Sequence, residues 1–209
     1  MSQHDIVRAA VTAERTELAE VFAGLTPQQW DAPSLCAGWR VREVLAHTTM
    51  PFRMGAGGFV WEMLRSGGRF SRMADRVARR DAARMPAGDL VRCLRDNVAH
   101  PWSPPGGGPV GALSHEVIHG LDSTVSLGLD RRVPTDRLGL VLDAMRPRNV
   151  GYFGVDLTGV QLAATDLDWT WGTGDPLRGF AQDLLLVVCG RRLPPCHLEG
   201  GPAARFTAG

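Results

Sequence analysis

The sequence predicts a mainly α chain: a helical bundle over residues 1–148, then a small α/β unit over residues 149–209. Three observations carry this. Apolar residues recur at three- and four-residue spacing through the first two thirds, the periodicity of helices that bury one face. Past Arg146 the texture changes, and apolar and polar residues alternate around Gly-rich turns, as strands require. A length of 209 residues suits one domain, or one domain with a small second one.

Taken in order, residues 5–24 place Ile6, Ala10, Val11, Leu18, Val21 and Phe22 on one stripe of a first helix, with Leu25 just beyond its end. "TPQQW" starts a short second one: Thr26 is a natural N-cap, Pro27 suits the first helical position, and Gln29 completes a capping box. "DAPSLCAGW" is a loop. From Arg40 a long helix runs through "RVREVLAHTTM", with Val41, Val44, Leu45 and Thr48 inward, until Pro51 kinks or ends it. "GFVWEMLR", "SRMADRVARRDAARM" and "PAGDLVRCLRDNVAH" read as further helical segments, and "PWSPPGGGP" as a loop. "VGALSHEVIHGLDSTVSLGL" is the next helix, and "TDRLGLVLDAM" a shorter one, capped by Thr135 or Asp136. "VDLTGVQLAATDLDWTWGTGDPLRG" reads as two strands joined by a hairpin at "GTGD". "GFAQDLLLVVCGRR" is a last apolar helix closed by Gly190, and the final residues are irregular or partly strand.

Composition excludes several classes. At 44% hydrophobic and 22% charged the chain is of ordinary soluble type. A net charge of +1 supplies no field to recruit nucleic acid or an anionic membrane. Cys36, Cys93, Cys189 and Cys196 are scattered, giving neither a zinc-finger spacing nor a disulfide framework. The N-terminus becomes charged at once, without the apolar core of a signal peptide, and no apolar run is long enough to span a bilayer. A reduced, cytoplasmic protein is the expectation.

The candidate chemistry lies in "ALSHEVIHGLD". His115 and His119 are four residues apart, so on a helix they stand one above the other on one face and can offer ring nitrogens to one metal. Glu116 is placed to be a ligand or an acceptor behind one. Asp122, three residues after His119, can take the far N–H of its imidazole and fix the tautomer. Spacing alone leaves two readings open, half of a metal site or two ordinary helix histidines. A catalytic zinc-type site wants a third protein ligand. His4 and His197 lie near the termini, and His100 adjoins a Pro/Gly loop. His47 sits within a helix whose apolar face should point inward, which makes it the natural third ligand. Five arginines, Arg72, Arg76, Arg79, Arg80 and Arg84, crowd one helix, where Asp75 and Asp81 make a solvated, paired face the simpler reading. Trp39, Trp61 and Trp102 are candidates to line an apolar pocket, or core residues.

The stretch "LTPQQWDAPSLCAGWRVREVLAH" resembles the N-terminal signature of the mycothiol-dependent maleylpyruvate isomerase family, a branch of the DinB-like metal-binding bundles. "HEVIHGLD" is similar to its second signature, and "DLDWTWGTGDPLRGFAQDLLLVVCGR" to its C-terminal block. The resemblance implies a DinB-like four-helix bundle followed by the small C-terminal α/β unit. It maps metal ligands onto His47 and His119. It also implies a low-molecular-weight thiol, mycothiol, as the nucleophile, so that no protein nucleophile is needed. Cys36 matches the pattern and reads as a small buried residue at a turn. Arg178, in "PLRG" at the start of the last helix, matches the C-terminal block and would meet an anionic ligand. One departure stands out. The family usually has glutamate four residues before the second histidine; here His115 is there and Glu116 follows it. A three-histidine set resembles other DinB-like proteins and is one unit more positive.

The combined expectation is one divalent metal on His47, His115 and His119, with Glu116 and Asp122 behind them. Zinc comes first, and nickel, manganese and iron also suit imidazole. The partners are mycothiol and a small electrophile, with transfer or isomerisation as the reaction, in a monomer or homodimer. The alternatives are a metal-dependent hydrolase using metal-bound water, and a non-catalytic binding module.

Overall fold

In the computed structural model, which describes residues 2–209 (backbone alone for 148 and 149), the chain divides into two compact units, Met1–Ser123 and Thr124–Gly209. The first unit opens with α1 (Gln3–Ala23). Ser2 caps it: the Asp5 N–H donates to Ser2 Oγ, and the Ser2 N–H donates back to Asp5 Oδ2. Its inner face is Val7, Val11, Leu18, Ala19 and Phe22, together with Glu14 and Arg15, whereas Ile6 is exposed. The expected stripe therefore has the right period, but its phase turns to take in two charged residues.

The short α2 (Pro27–Asp31) carries the expected Thr26–Gln29 capping box. The loop that follows leads into α3 (Val41–Thr48), which starts at Arg40 as its N-cap. The long helix expected from Arg40 stops here. Pro51 has no N–H for the ladder, the Thr49 hydroxyl donates to the Leu45 carbonyl, and the chain restarts as α4 (Met50–Arg53). Beyond it come α5 (Ala56–Arg65), α6 (Phe70–Arg84), α7 (Ala87–Asp96) and α8 (Gly108–Thr124). Helix α3 packs on α6 and α7, and α1 on α7. Leu18, Val44, Leu45, Leu90, Leu94, Leu113, Val117 and Leu121 form the interior. Helix α8 closes tightly on α1: a Cβ added at Gly120 would lie 2.6 Å from Leu18 Cδ2.

The second unit holds α9 (Thr135–Asp143), α10 (Pro147–Phe153) and a four-stranded mixed sheet. The N-cap of α9 is Pro134, with no capping side chain, so neither Thr135 nor Asp136 has the expected role. Strand β1 (Val160–Ala164) pairs antiparallel with β2 (Thr170–Gly172) across the turn 165–169. The "GTGD" segment does not close a hairpin between two strands, as expected; it carries the chain into β3 (Asp175–Gly179), which lies parallel to β1 on its other edge. Helix α11 (Ala181–Val188) follows, with Gly190 at φ +74° just past its end, as expected. A two-residue β4 (Leu198–Glu199) and a short α12 (Ala203–Phe206) complete the unit.

Residues 124–148, expected to belong to the bundle, group with this second unit. The physical reason is in Gln182 of α11, which accepts from the Val133 N–H at 3.0 Å and donates to the Arg131 carbonyl at 3.2 Å. No helix among the described residues is long and apolar enough to cross a membrane.

Candidate metal centre

Helix α8 presents His115 and His119 one turn apart, and the close approach at Gly120 fixes their height against α1. His47 arrives from the last turn of α3. The three imidazoles converge: ring centroids are 5.1 Å apart for His47 and His115, 4.9 Å for His47 and His119, and 4.8 Å for His115 and His119. One ring nitrogen from each lies within 4.8 Å of the others. His47 is buried and the other two are half-buried, so the cluster opens on one side.

The donor set fits a divalent ion. His47 Nε2 and His115 Nε2 stand 3.3 Å apart. Two imidazole nitrogens on one tetrahedral zinc, with bonds of about 2.0–2.1 Å, are separated by about the same distance. Burial, helped by the neighbouring His119 and His115 and opposed by Asp122, holds the His47 pKa well below the usual histidine value, so the ring is in the neutral form that ligation needs.

Behind the triad, Asp122 and Glu116 are both fully buried. Asp122 Oδ2 is 3.0 Å from His119 Nδ1, which leaves Nε2 as the ring nitrogen that Asp122 does not engage. Glu116 has a second role. Its Oε1 accepts from Arg15 Nε at 2.9 Å and lies 3.8 Å from His115 Nδ1. Burial alone would push its pKa up, but His115 and Arg15 outweigh that and hold it below the usual glutamate value. Glu116 is therefore committed to a cation in the core. The sequence marks Arg15 only as an arginine on the inner stripe of an otherwise amphipathic helix.

Cys36 is closer to the chemistry than its loop position suggested. Its Sγ donates to Asp122 Oδ2 at 2.9 Å and lies 3.8 Å from His119 Nδ1. Two tryptophans flank the cluster, Trp39 at 5.2 Å from His47 and Trp102 at 5.2 Å from His115, while Trp61 is exposed. Trp39 is oriented by donating Nε1–H to Asp75 Oδ1 at 2.7 Å. His100 packs at a tilt against Phe52 and takes the Trp102 N–H on Nδ1, and His197 pairs with Asp183, so neither joins the triad.

Three of the five arginines on α6 have carboxylate partners, while Arg72 and Arg84 are exposed. Arg79 bonds Asp75, Arg80 bonds Asp81 and Glu62, and Arg76 bonds Glu62. Arg178 lies on β3, before the last helix and not at its start, exposed and opposite Glu199 on β4.

Residues 11–101 match the family model of the mycothiol maleylpyruvate isomerase N-terminal domain, a segment that contains the first of the three motifs and His47. Two solved structures share the fold. One is the mycothiol-dependent maleylpyruvate isomerase, 12% identical with a TM-score of 0.60, covering 97% of this chain and 94% of that one. The other is a histidine-to-alanine mutant of the mycothiol-dependent maleylpyruvate isomerase, 10% identical with a TM-score of 0.58 and the same coverage. At these identities the likeness establishes the mainly α, DinB-like architecture. No curated protein matches the chain.

Proposed function

We propose that this chain, which carries the N-terminal domain of the mycothiol maleylpyruvate isomerase family over residues 11–101, is a metal-dependent enzyme that uses mycothiol on a small electrophile. The observation that carries the reading is the convergence of His47, His115 and His119, with two Nε2 atoms 3.3 Å apart and a half-open face. These three residues would hold the ion. Zinc suits them first, and nickel, manganese and iron are also compatible with imidazole. A divalent ion there lowers the pKa of a bound thiol or water, making it nucleophilic near neutral pH.

The chain's own groups set the conditions for that chemistry. Asp122 fixes His119. Trp39 and Trp102 flank the triad with apolar surface, which favours an apolar electrophile and limits water. Cys36 directs its thiol at Asp122, which fits a nucleophile that comes with the cosubstrate. In an isomerisation, the thiolate sulfur adds to one carbon of an activated double bond and the electron pair moves onto the activating group. The resulting single bond rotates. The pair then returns, the C–S bond breaks, and the thiol leaves unchanged. In a transfer, the C–S bond persists and a leaving group departs with the electron pair.

The test is turnover by the zinc-loaded chain, with mycothiol, on a panel of activated cis-alkenes and alkylating agents, read by mass spectrometry and NMR. The expected result is a thiol-dependent isomer or adduct, abolished in His47→Ala. No product anywhere on the panel, or equal turnover without the thiol, overturns the thiol assignment. The latter result would indicate a water nucleophile.

A further inference from the structure

We propose that Cys36 is a positioning residue for the metal centre, acting on His119 through Asp122. The inference rests on the metal reading above and goes beyond it by assigning a role to Cys36, whose Sγ also groups with His119 and Asp122 at metal-ligand spacing. A single carboxylate oxygen, Asp122 Oδ2, sits 2.9 Å from Cys36 Sγ and 3.0 Å from His119 Nδ1. A second donor on the same oxygen fixes the direction of the lone pair that His119 meets, and with it the plane of the ring.

The loop carrying Cys36 is built to deliver the sulfur there. The Leu35 N–H donates to the Asp122 backbone carbonyl at 2.9 Å, so loop and helix are tied at the residue the thiol addresses. The Cys36 N–H donates to Ser34 Oγ at 3.2 Å, the Trp39 N–H donates to the Cys36 carbonyl at 2.9 Å, and the Ser34 hydroxyl donates to the Trp39 carbonyl at 2.9 Å. Gly38 supplies the left-handed turn at φ +77°. Cys36 and Trp39 thus leave one rigid turn toward two different histidines, His119 and His47.

The experiment measures zinc affinity of the full chain by competition with a chromogenic chelator, in wild type, Cys36→Ala, Cys36→Ser, Asp122→Asn and Cys36→Ala/Asp122→Asn. Partners of ligand histidines typically change metal affinity by about 10–100-fold. Cys36→Ala should lose about 10-fold, and Cys36→Ser, which keeps a donor, should regain most of it. The double variant should bind no more weakly than Asp122→Asn alone, because the effect runs through that carboxylate. Thermal unfolding of the zinc-free proteins controls for loop damage, and Cys36→Ser supplies the comparison if Cys36→Ala does not fold. Unchanged affinity in Cys36→Ala overturns the proposal, as does a loss additive with Asp122→Asn. A sulfur-to-metal charge-transfer band in the cobalt-substituted wild type also overturns it, by making Cys36 a ligand. Absence of zinc binding in the wild type is a different failure and removes the metal reading itself.

Discussion

Arg15 and Glu116, 101 residues apart in the chain, form an ion pair at 2.9 Å with both side chains entirely shielded from solvent. Arg15 also donates Nη1–H to the His100 carbonyl at 2.8 Å, and its guanidinium lies over the Phe52 ring at 4.8 Å. The pair joins α1 to the helix that carries two of the three histidines.

Removing Arg15 takes away the cation bonded to Glu116. Arg15→Met would leave the Glu116 carboxylate in the core with His115 Nδ1 at 3.8 Å as its neighbour, and breaking a buried pair typically costs about 3–5 kcal/mol. Denaturant unfolding should show that loss. Arg15→Lys should recover little of it, because an ammonium cannot reproduce the planar fork that bonds carboxylate and carbonyl together. An Arg15→Met protein as stable as wild type would contradict the assignment.

Gly120→Ala should destabilise by overpacking. The new Cβ would fall 2.6 Å from Leu18 Cδ2, inside the body of α1, and methyl groups forced into a filled core cost about 1–3 kcal/mol. The loss should be sub-additive with Leu18→Ala, since that substitution vacates the contested space. Additive losses in a double-mutant cycle would show that the two residues are not in conflict.

Much of the site was legible in the sequence. The i, i+4 spacing of His115 and His119 and the inward face around His47 follow from helical geometry, which depends on near neighbours. The Thr26–Gln29 capping box and the Gly190 stop are local in the same sense. What was hidden is non-local. Nothing near Arg15 announces Glu116. Nothing near Cys36 announces Asp122, 86 residues on. The "GTGD" segment looked like a hairpin turn because turn chemistry is the same whether the next strand returns or crosses over. Its Gly174, at φ +134°, would place a Cβ 2.2 Å from the Gly159 backbone, so the crossover to the far edge of β1 depends on a contact the local pattern does not reveal.

The second unit should show a pH dependence centred on Asp183. Its carboxylate is buried, and burial raises its pKa; His197 at 3.2 Å, then Arg132, pull it down, and Asp166 adds to the rise. A raised folded pKa means the fold favours the protonated acid. That contribution is complete below the usual aspartate value of about 3.9 and is lost as pH rises through the shifted value. Asp183→Asn, which keeps the shape without the charge, should therefore lose less thermal stability than wild type as pH rises above the usual aspartate value of about 3.9. Parallel pH profiles for the two proteins would contradict this.

Metal content tests most directly whether His47, His115 and His119 bind one ion together. The full chain, purified without a metal-binding tag and reconstituted with zinc, should hold about one ion per chain by elemental analysis. His115→Ala, run alongside, should hold markedly less while keeping its helical circular dichroism. No metal in the reconstituted wild type, or equal content in the folded variant, would contradict the account.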